Sequence, residues 1–209
     1  MKTFLTLSIS FFFLILSAQD ISADIKTLQS MVDNEEYFQA MGFADKLIGQ
    51  KIKEGGQQNA GKVYLLRGIA KYKLELEVDA IVDFKIAKTL DSRNFIAFYY
   101  IADIYYAMSS YSSALENVIY FLNNNNEDAN GLILKSKCEL EMGNSNAAKM
   151  TIQKALALYS SNPELYYIRA VINSQLGEDK LACKDIKIAA RFGYEGAKDK
   201  VDSFCHTND

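Results

Sequence analysis

The sequence is poor in the residues on which many enzymes and metal sites depend. Its 209 residues include one histidine, three cysteines, one proline and no tryptophan. The formal net charge of −3 leaves no basic excess to neutralise phosphates, which argues against nucleic acid as a partner. What is present, 49% hydrophobic and 23% charged residues, is typical of a folded domain rather than of a disordered or polytopic membrane protein.

No sequence motif points to chemistry. The chain has no paired-histidine zinc motif, no nucleophile elbow and no phosphate-binding loop. The lone histidine, His206, stands in the tail without a plausible partner residue. We therefore expect a protein that is not an enzyme, with no catalytic residue, no metal site and no cofactor.

The first eighteen residues have the layout of a secretory signal peptide. Lys2 supplies a positive charge, residues 4–16 form an apolar run, and Ser17-Ala18 offers small residues for cleavage. The run is short for a membrane span, although an uncleaved anchor is the alternative. We expect residues 1–18 to be removed, leaving an exported protein, periplasmic or secreted, without a stable membrane span.

From residue 61 the sequence repeats every 34 residues, in segments 61–94, 95–128, 129–162 and 163–196. Small residues recur at intervals of 34, and larger apolar residues follow them at helical spacing in every segment. The sets are Gly68, Ala102, Ser136 and Ala170; Ala80, Ala114, Ala148 and Ala182; Phe84, Val118, Ile152 and Ile186; and Ala87, Phe121, Ala155 and Ala189. This spacing predicts two antiparallel helices per repeat. Pro163, after Asn162, fits the first position of a helix with Asn162 as its cap.

The repeat resembles the tetratricopeptide repeat (TPR), which has the same period and a similar pattern of small and aromatic residues. The string YLLRGIAKY followed by AIVDFKIAKTLD carries the closest likeness. The C-terminal string ACKDIKIAARFGYEGAKDKVDSFC resembles the last repeat and cap of exported bacterial TPR proteins. The resemblance implies an all-α fold: a right-handed superhelix, or α-solenoid, of antiparallel helix pairs closed by a C-terminal capping helix.

Both ends of the repeat array are predicted to differ from its middle. Residues 19–60 are interpreted as a degenerate helix pair followed by a flexible linker, because residues 55–60 read GGQQNA. Residues 195–209 are interpreted as a capping helix and tail, since a solenoid needs an element that covers its last repeat.

Two of the three cysteines are candidates for a disulfide. Cys183 lies in the last predicted repeat helix and Cys205 in the cap, and an exported chain meets an oxidising compartment. A bond would close a loop of about 22 residues and contribute roughly 3 kcal/mol. The alternative is two small apolar residues that never pair. Cys138 is then unpaired, and it is interpreted as a packed small residue.

The resemblance also implies a binding surface, because the first helix of every TPR lines the concave groove. Tyr99, Asp103 and Tyr106 are spaced so that they share one helical face, and aromatic side chains with a few charges anchor peptides well. A tyrosine stripe that serves packing is the alternative. The groove candidates are Lys62, Leu65, Ile69, Tyr72, Lys73, Ile96, Tyr99, Asp103, Tyr106, Lys137, Glu141 and Tyr167.

The sequence thus favours a protein-protein interaction module of the cell envelope that binds a peptide or helix of another protein in its groove. Complex assembly is one role that such a module fills. Two alternatives remain open. One is a scaffold that self-associates as a homo-oligomer, and the other is a subunit of an envelope enzyme complex.

Overall fold

The computed structural model describes residues 21–50 and 56–205, and within those ranges every regular element is an α-helix. The predicted signal peptide and His206 lie outside the described residues. The chain divides into two compact units after Ile101, inside the fifth helix. Of the helices in the described ranges, none combines the length and the apolar character that a membrane crossing requires.

The first unit contains four helices and the beginning of a fifth. They are α1 (21–33), α2 (Tyr37–Gln50), α3 (Gly56–Lys73), α4 (Glu77–Leu90) and the first half of α5 (Phe95–Ala107). Apolar residues at helical spacing on α1, among them Ile25 and Leu28, pack with Ala44 of α2 and Leu66 of α3 in one buried cluster. Each helix therefore contributes one stripe of apolar side chains to the cluster, as is typical of amphipathic helices.

Helices α3 and α4 approach each other closely at Gly68. Gly68 faces the buried ring of Phe84, and a Cβ atom at position 68 would lie 2.7 Å from Phe84 Cε1. The ring of Phe84 also stacks on Tyr100 of α5, with 5.1 Å between the ring centroids. The small residue of the 34-residue pattern thus makes room for the large one.

The second unit contains the rest of α5 and six further helices. They are α6 (Tyr111–Leu122), α7 (Ala129–Glu141), α8 (Ser145–Leu158), α9 (Pro163–Gln175), α10 (Asp179–Arg191) and α11 (Ala197–Cys205). Each 34-residue segment from residue 95 onward contains one helix pair. The predicted start of α9 is confirmed, because Pro163 is its first residue and the Asn162 side chain accepts a hydrogen bond from the Glu164 backbone N–H at 3.0 Å.

The predicted packing register is confirmed in both units. All sixteen residues of the four repeating sets are buried. The larger apolar residues of the third set, Phe84, Val118, Ile152 and Ile186, have no exposed surface. Since a one-residue shift along a helix turns a side chain by about 100°, this agreement fixes which face of each helix is packed.

The turns within the helix pairs share one backbone conformation. The second residue after each first helix has a positive φ, between 57° and 78°: these residues are Glu35, Glu75, Ser109, Gly143 and Gly177. In each turn the next residue donates its backbone N–H to a carbonyl five residues back, as Asn144 does to Glu139 at 2.8 Å. This is a Schellman-type helix end, for which glycine is the usual residue. Only two of the five turns use glycine.

The structure corrects the predicted linker. Residues 56–60 form the first turn and a half of α3, which begins at Gly56, rather than a flexible connection. Ala60 is 5% exposed, so the segment contributes to packing. The composition of residues 55–60 is that of a linker, but it does not reveal that α3 extends back to Gly56.

The C-terminal helix α11 covers the end of the last repeat. Ala197, Val201 and Phe204 pack in one cluster with Ala189 of α10 and Tyr166 of α9. Cys183 of α10 and Cys205 of α11, the pair that the sequence makes a disulfide candidate, are bonded, with 4.8 Å between their Cα atoms.

Candidate functional site

In the first unit, the predicted groove residues of α3 differ in exposure. Lys62 and Lys73 are exposed, and Ile69 and Tyr72 are half-buried. Leu65 is only 9% exposed, because it faces into the helix packing. The prediction that Leu65 contributes to the candidate surface is therefore corrected, since almost none of its side chain is accessible to a partner.

The start of α5 adds aromatic surface to this unit. Ile96 is 38% exposed, and Tyr99 is half-buried. The ring of Tyr99 meets Tyr100 edge-on, at 5.7 Å between centroids, and Tyr100 lies 5.1 Å from the ring of Tyr72. The ring of Tyr100 contacts the rings of both Tyr72 and Tyr99. The three tyrosines therefore pack on one another, and each keeps part of its surface available to a partner.

In the second unit, Tyr106 lies near two carboxylates. Burial, together with the charge of Glu141 and, more weakly, of Asp103, raises the pKa of the Tyr106 phenol to about 12. The Tyr106 ring also lies 5.5 Å from the ring of Tyr111, measured between centroids. Three predicted groove residues, Asp103 and Tyr106 of α5 and Glu141 of α7, therefore interact electrostatically.

An ion pair and a ring pair continue this surface toward the C-terminus. Lys137 of α7 donates to the Glu164 carboxylate of α9 at 2.7 Å. The rings of Tyr167 and Tyr194 lie 4.8 Å apart. Burial, followed by the charge of Glu164, raises the pKa of Tyr194. We call the residues Asp103, Tyr106, Lys137, Glu141, Glu164 and Tyr167 the first-helix surface of the second unit.

This surface carries more negative than positive charge. Three of its six residues are carboxylates and one is a lysine. Lys137 is already paired with Glu164. Glu141 is exposed, and in residues 21–50 and 56–205 no salt bridge neutralises it. The surface therefore favours a partner segment that supplies a positive charge together with apolar contact.

Sequence reasoning missed a buried ion-pair network in the first unit. Asp83 of α4 has no exposed surface and accepts hydrogen bonds from Arg67 Nε at 2.8 Å and Arg67 Nη2 at 2.6 Å. Lys71 Nζ lies 2.9 Å from the same carboxylate, and Arg67 also reaches Asp45. Burial lowers the pKa of Arg67, but the hydrogen bonds to Asp83 and Asp45 outweigh it and raise the pKa above its ordinary value.

The second unit repeats the network at equivalent positions, 102 residues later. Asp185 of α10 is 3% exposed and accepts from Arg169 Nε and Nη2, both at 2.7 Å, and from Asn173 Nδ2 at 3.0 Å. The hydrogen bond to Asp185 raises the pKa of Arg169 in spite of burial. The spacing of Arg67 and Arg169, and of Asp83 and Asp185, is three times 34, and this was the signal available in the sequence.

The helix pair α7 and α8 uses the same positions with different residues. Lys135 lies 2.9 Å from Glu139 and donates to Thr151 at 2.8 Å. Thr151 in turn donates to the buried Glu139 carboxylate at 2.7 Å. Here the carboxylate comes from the first helix instead of the second, whereas the positive charge stays at the same position, so the polar contact is kept.

Cys138 does not have the environment of a reactive thiol. It is fully buried in α7, and burial, followed by the charge of Glu139, raises the pKa of its thiol to about 12. Reactive cysteines require the opposite shift. In the part of the chain that the structure describes, no group of three or more histidine, cysteine or acidic residues could hold a metal ion.

Comparison with known proteins gives fold similarity without close sequence relatives. No protein-family model and no curated protein matches the chain. Among solved structures, YrrB, described as a TPR protein with an unusual peptide-binding site, is 15% identical, with a TM-score of 0.71 over 86% of this chain and 90% of that one. MamA from Desulfovibrio magneticus RS-1 is 14% identical, with a TM-score of 0.72 over 84% and 96% of the two chains. PilF of Pseudomonas aeruginosa is 15% identical, with a TM-score of 0.72 over 90% of each. The chain therefore has the all-helical fold of the TPR-like solenoids.

Proposed function

We propose that this chain is a non-catalytic protein-interaction module of the cell envelope, and that it binds an extended peptide or helix of another protein through first-helix side chains. The observation that supports the proposal is the half-buried ring of Tyr106, which packs on Tyr111 and lies within electrostatic reach of the exposed Glu141 on the next first helix. A half-buried aromatic ring and an exposed carboxylate combine contact area with a polar anchor, and a few such residues can dominate an interface.

The fold supports this proposal by analogy only. YrrB is described as having a peptide-binding site, and TPR-like solenoids present rows of side chains from successive helices. Fold alone does not determine function, so the argument depends on the residues of the surface itself. The charge of that surface favours a partner segment with lysine or arginine among apolar residues.

Affinity capture with a charge reversal tests the proposed surface. The chain from Gln19 onward is used as bait in an envelope extract, beside the Glu141→Lys and Glu116→Lys variants. Both glutamates are exposed, but Glu116 lies on α6, a second helix. A partner identified with the native bait should bind the Glu141→Lys variant about tenfold more weakly, because a close attraction becomes a repulsion.

Circular dichroism must first show the same helix content in all three baits. Equal capture by the native chain and by both variants would contradict the first-helix surface and direct attention to the second helices. A Tyr106→Phe variant provides a second test, because it keeps the ring and removes only the hydroxyl group. It should bind nearly as well as the native chain if the ring supplies contact area.

Export is part of the proposal and has its own test. N-terminal sequencing of the chain recovered from its natural host should give Gln19 as the first residue. Recovery of the chain with Met1 in a cytoplasmic fraction would contradict the envelope role and leave the binding surface untouched.

Self-association is a second candidate, and exposed apolar residues on α4 favour it. Val78 is 70% exposed and Val82 is 52% exposed, four residues apart on one face of the helix. Light scattering over a range of concentrations distinguishes the candidates. A mass that rises with concentration and falls to that of a monomer in a Val78→Ser/Val82→Ser variant would support a scaffold built through α4.

A further inference from the structure

An open cavity of about 490 Å³ is lined by residues of α6, α7 and α8 and of the turn that joins α6 to α7. This volume falls within the range of roughly 300–1,000 Å³ that is usual for small-molecule sites. The described residues that line it all belong to the second unit. None of the twelve predicted groove residues is among them, so the cavity is a separate feature from the first-helix surface.

Four apolar side chains make up much of the cavity wall. Leu122 of α6 and Leu132 of α7 are 8% and 3% exposed, whereas Ile119 of α6 and Met150 of α8 are 40% and 73% exposed. An ordered water molecule needs two to four polar partners, and side chains of this kind supply none. An apolar group is therefore the more favourable occupant, because it removes the exposed isoleucine and methionine from water.

One set of polar groups in the wall is already satisfied. Lys135 and Thr151 line the cavity, and both interact with the buried carboxylate of Glu139. Lys135 Nζ lies 2.9 Å from that carboxylate, and the Thr151 hydroxyl donates to it at 2.7 Å. The charge of Lys135 is therefore neutralised within the protein, and this set offers little to a charged ligand.

Lys154 supplies a positive charge that no carboxylate neutralises. Its ammonium group donates to the Asn126 backbone carbonyl at 2.7 Å, and both residues line the cavity, which places the ammonium at the cavity edge. In the part of the chain that the structure describes, no salt bridge joins Lys154 to an acidic residue, the neighbouring Glu127 included. Asp128, the next acidic residue, accepts from the Gly131 backbone N–H at 2.7 Å as the cap of α7.

We propose that this cavity binds an amphiphilic monocarboxylate of the medium-chain fatty acid class. The alkyl chain packs among the side chains of Ile119, Leu132 and Met150, and the carboxylate lies against the Lys154 ammonium. An ammonium group has three N–H donors, and the Asn126 carbonyl occupies one of them. The single negative charge of the ligand matches the single lysine of the wall that has no carboxylate partner.

Octanoate and two analogues test the proposal on the intact chain from Gln19 onward. Octylammonium reverses the charge of the head group, and butanoate shortens the alkyl chain. Binding is followed by NMR of the methionine methyl groups: Met150 lines the cavity, whereas Met108 and Met142 are exposed outside it and serve as internal controls. We expect octanoate to shift the Met150 signal with a dissociation constant of about 1 mM, as its size allows, and each analogue to bind about tenfold more weakly.

Substitution of Lys154 identifies the charge. The Lys154→Glu variant should reverse the preference, so that octylammonium binds more tightly than octanoate. Lys187→Glu changes an exposed lysine of α10 outside the cavity wall, and it should keep the native preference. Circular dichroism must first show the same helix content in all variants. The Lys154→Gln variant keeps a side-chain donor for the Asn126 carbonyl, and it should bind octanoate about fivefold more weakly, the upper end of what an exposed ion pair supplies.

Three outcomes would overturn the proposal. Equal binding of octanoate and octylammonium by the native chain would mean that no carboxylate is recognised. Equal shifts of Met108, Met142 and Met150 would indicate adsorption to any exposed apolar side chain. No shift of Met150 with octanoate would leave the cavity to an apolar side chain of a protein partner. Glu141→Lys should bind octanoate as the native chain does, so the cavity and the first-helix surface succeed or fail independently.

Discussion

A reciprocal exchange of serine and glycine at two equivalent turns should change stability in opposite directions. Ser109 lies two residues after the end of α5 and has a φ of 57°, and Gly143 lies two residues after the end of α7 and has a φ of 78°. Both residues are exposed, and both turns are closed by the same pair of backbone hydrogen bonds. We expect Ser109→Gly to stabilise the chain and Gly143→Ser to destabilise it.

The magnitude follows from the backbone alone. A Cβ atom at position 143 would meet no neighbouring atom within 4 Å, so steric contact contributes nothing. A left-handed backbone costs an ordinary residue about 1–2 kcal/mol, while glycine gives back about 0.5–1 kcal/mol through its greater freedom in the unfolded chain. The net change in the free energy of unfolding is therefore about 1 kcal/mol at each site, positive for Ser109→Gly and negative for Gly143→Ser.

Thermal unfolding followed by circular dichroism measures the effect. For a chain of this length, 1 kcal/mol corresponds to about 2–4 °C in Tm. Ser113→Gly is the matched control, because Ser113 is exposed inside α6, where the same substitution should lower Tm. The double variant Ser109→Gly/Gly143→Ser should return close to the native Tm, since the two turns share no contacts of their side chains.

The result that refutes this reasoning is a lower Tm for Ser109→Gly, similar to that of Ser113→Gly. It would mean that position 109 does not hold a left-handed backbone in solution. A rise in Tm for Gly143→Ser would have the same consequence for position 143.

Three further predictions concern buried polar groups and cysteines. Asp185→Ala should lower the free energy of unfolding in urea by about 3 kcal/mol, because it leaves the half-buried Arg169 without its counterion. The double variant Arg169→Met/Asp185→Leu should lose clearly less, and equal losses would mean that the pair acts only through packing. The Cys138 thiol, with a pKa of about 12, should remain protonated at pH 7–9 and react slowly with a thiol reagent in the folded chain. The unfolded chain should react at once, and equal rates for the folded and unfolded chains would contradict the burial of Cys138. Without reductant, the denatured chain should show one reactive thiol, and three thiols would exclude the disulfide between Cys183 and Cys205. Removal of the disulfide by Cys183→Ser/Cys205→Ser should lower the free energy of unfolding by roughly 3 kcal/mol.

The parts of the fold that depend on periodicity could be predicted from the sequence. The 34-residue spacing of residues such as Ala114 and Ala148 placed the buried face of each helix correctly, because packing requires the same small residue at every helix crossing. The start of α9 followed from the local chemistry of Asn162 and Pro163, which needs no tertiary information.

The errors and omissions have tertiary causes. Residues 56–60 have the composition of a linker, but tertiary packing extends α3 through them, and Ala60 is buried. Leu65 stands at a position expected to face a partner but is turned into the packed side. The Asp185 network joins residues of α9 and α10 that are up to 16 residues apart, and pattern analysis restricted to apolar residues passes over it. The cavity lined by α6, α7 and α8 depends on three helices at once, which a single sequence does not reveal.

The closed C-terminal end limits how this chain can lengthen in evolution. Helix α11 covers the apolar face of α9 and α10 on which a further helix pair would have to stack, and the bond between Cys183 and Cys205 fastens it there. A duplicated repeat appended after Cys205 would therefore have to stack on the outer face of α11 instead of on α9 and α10. A repeat inserted between existing helix pairs would instead meet the surfaces that already stack, and it would leave the final helix and its two cysteines in place.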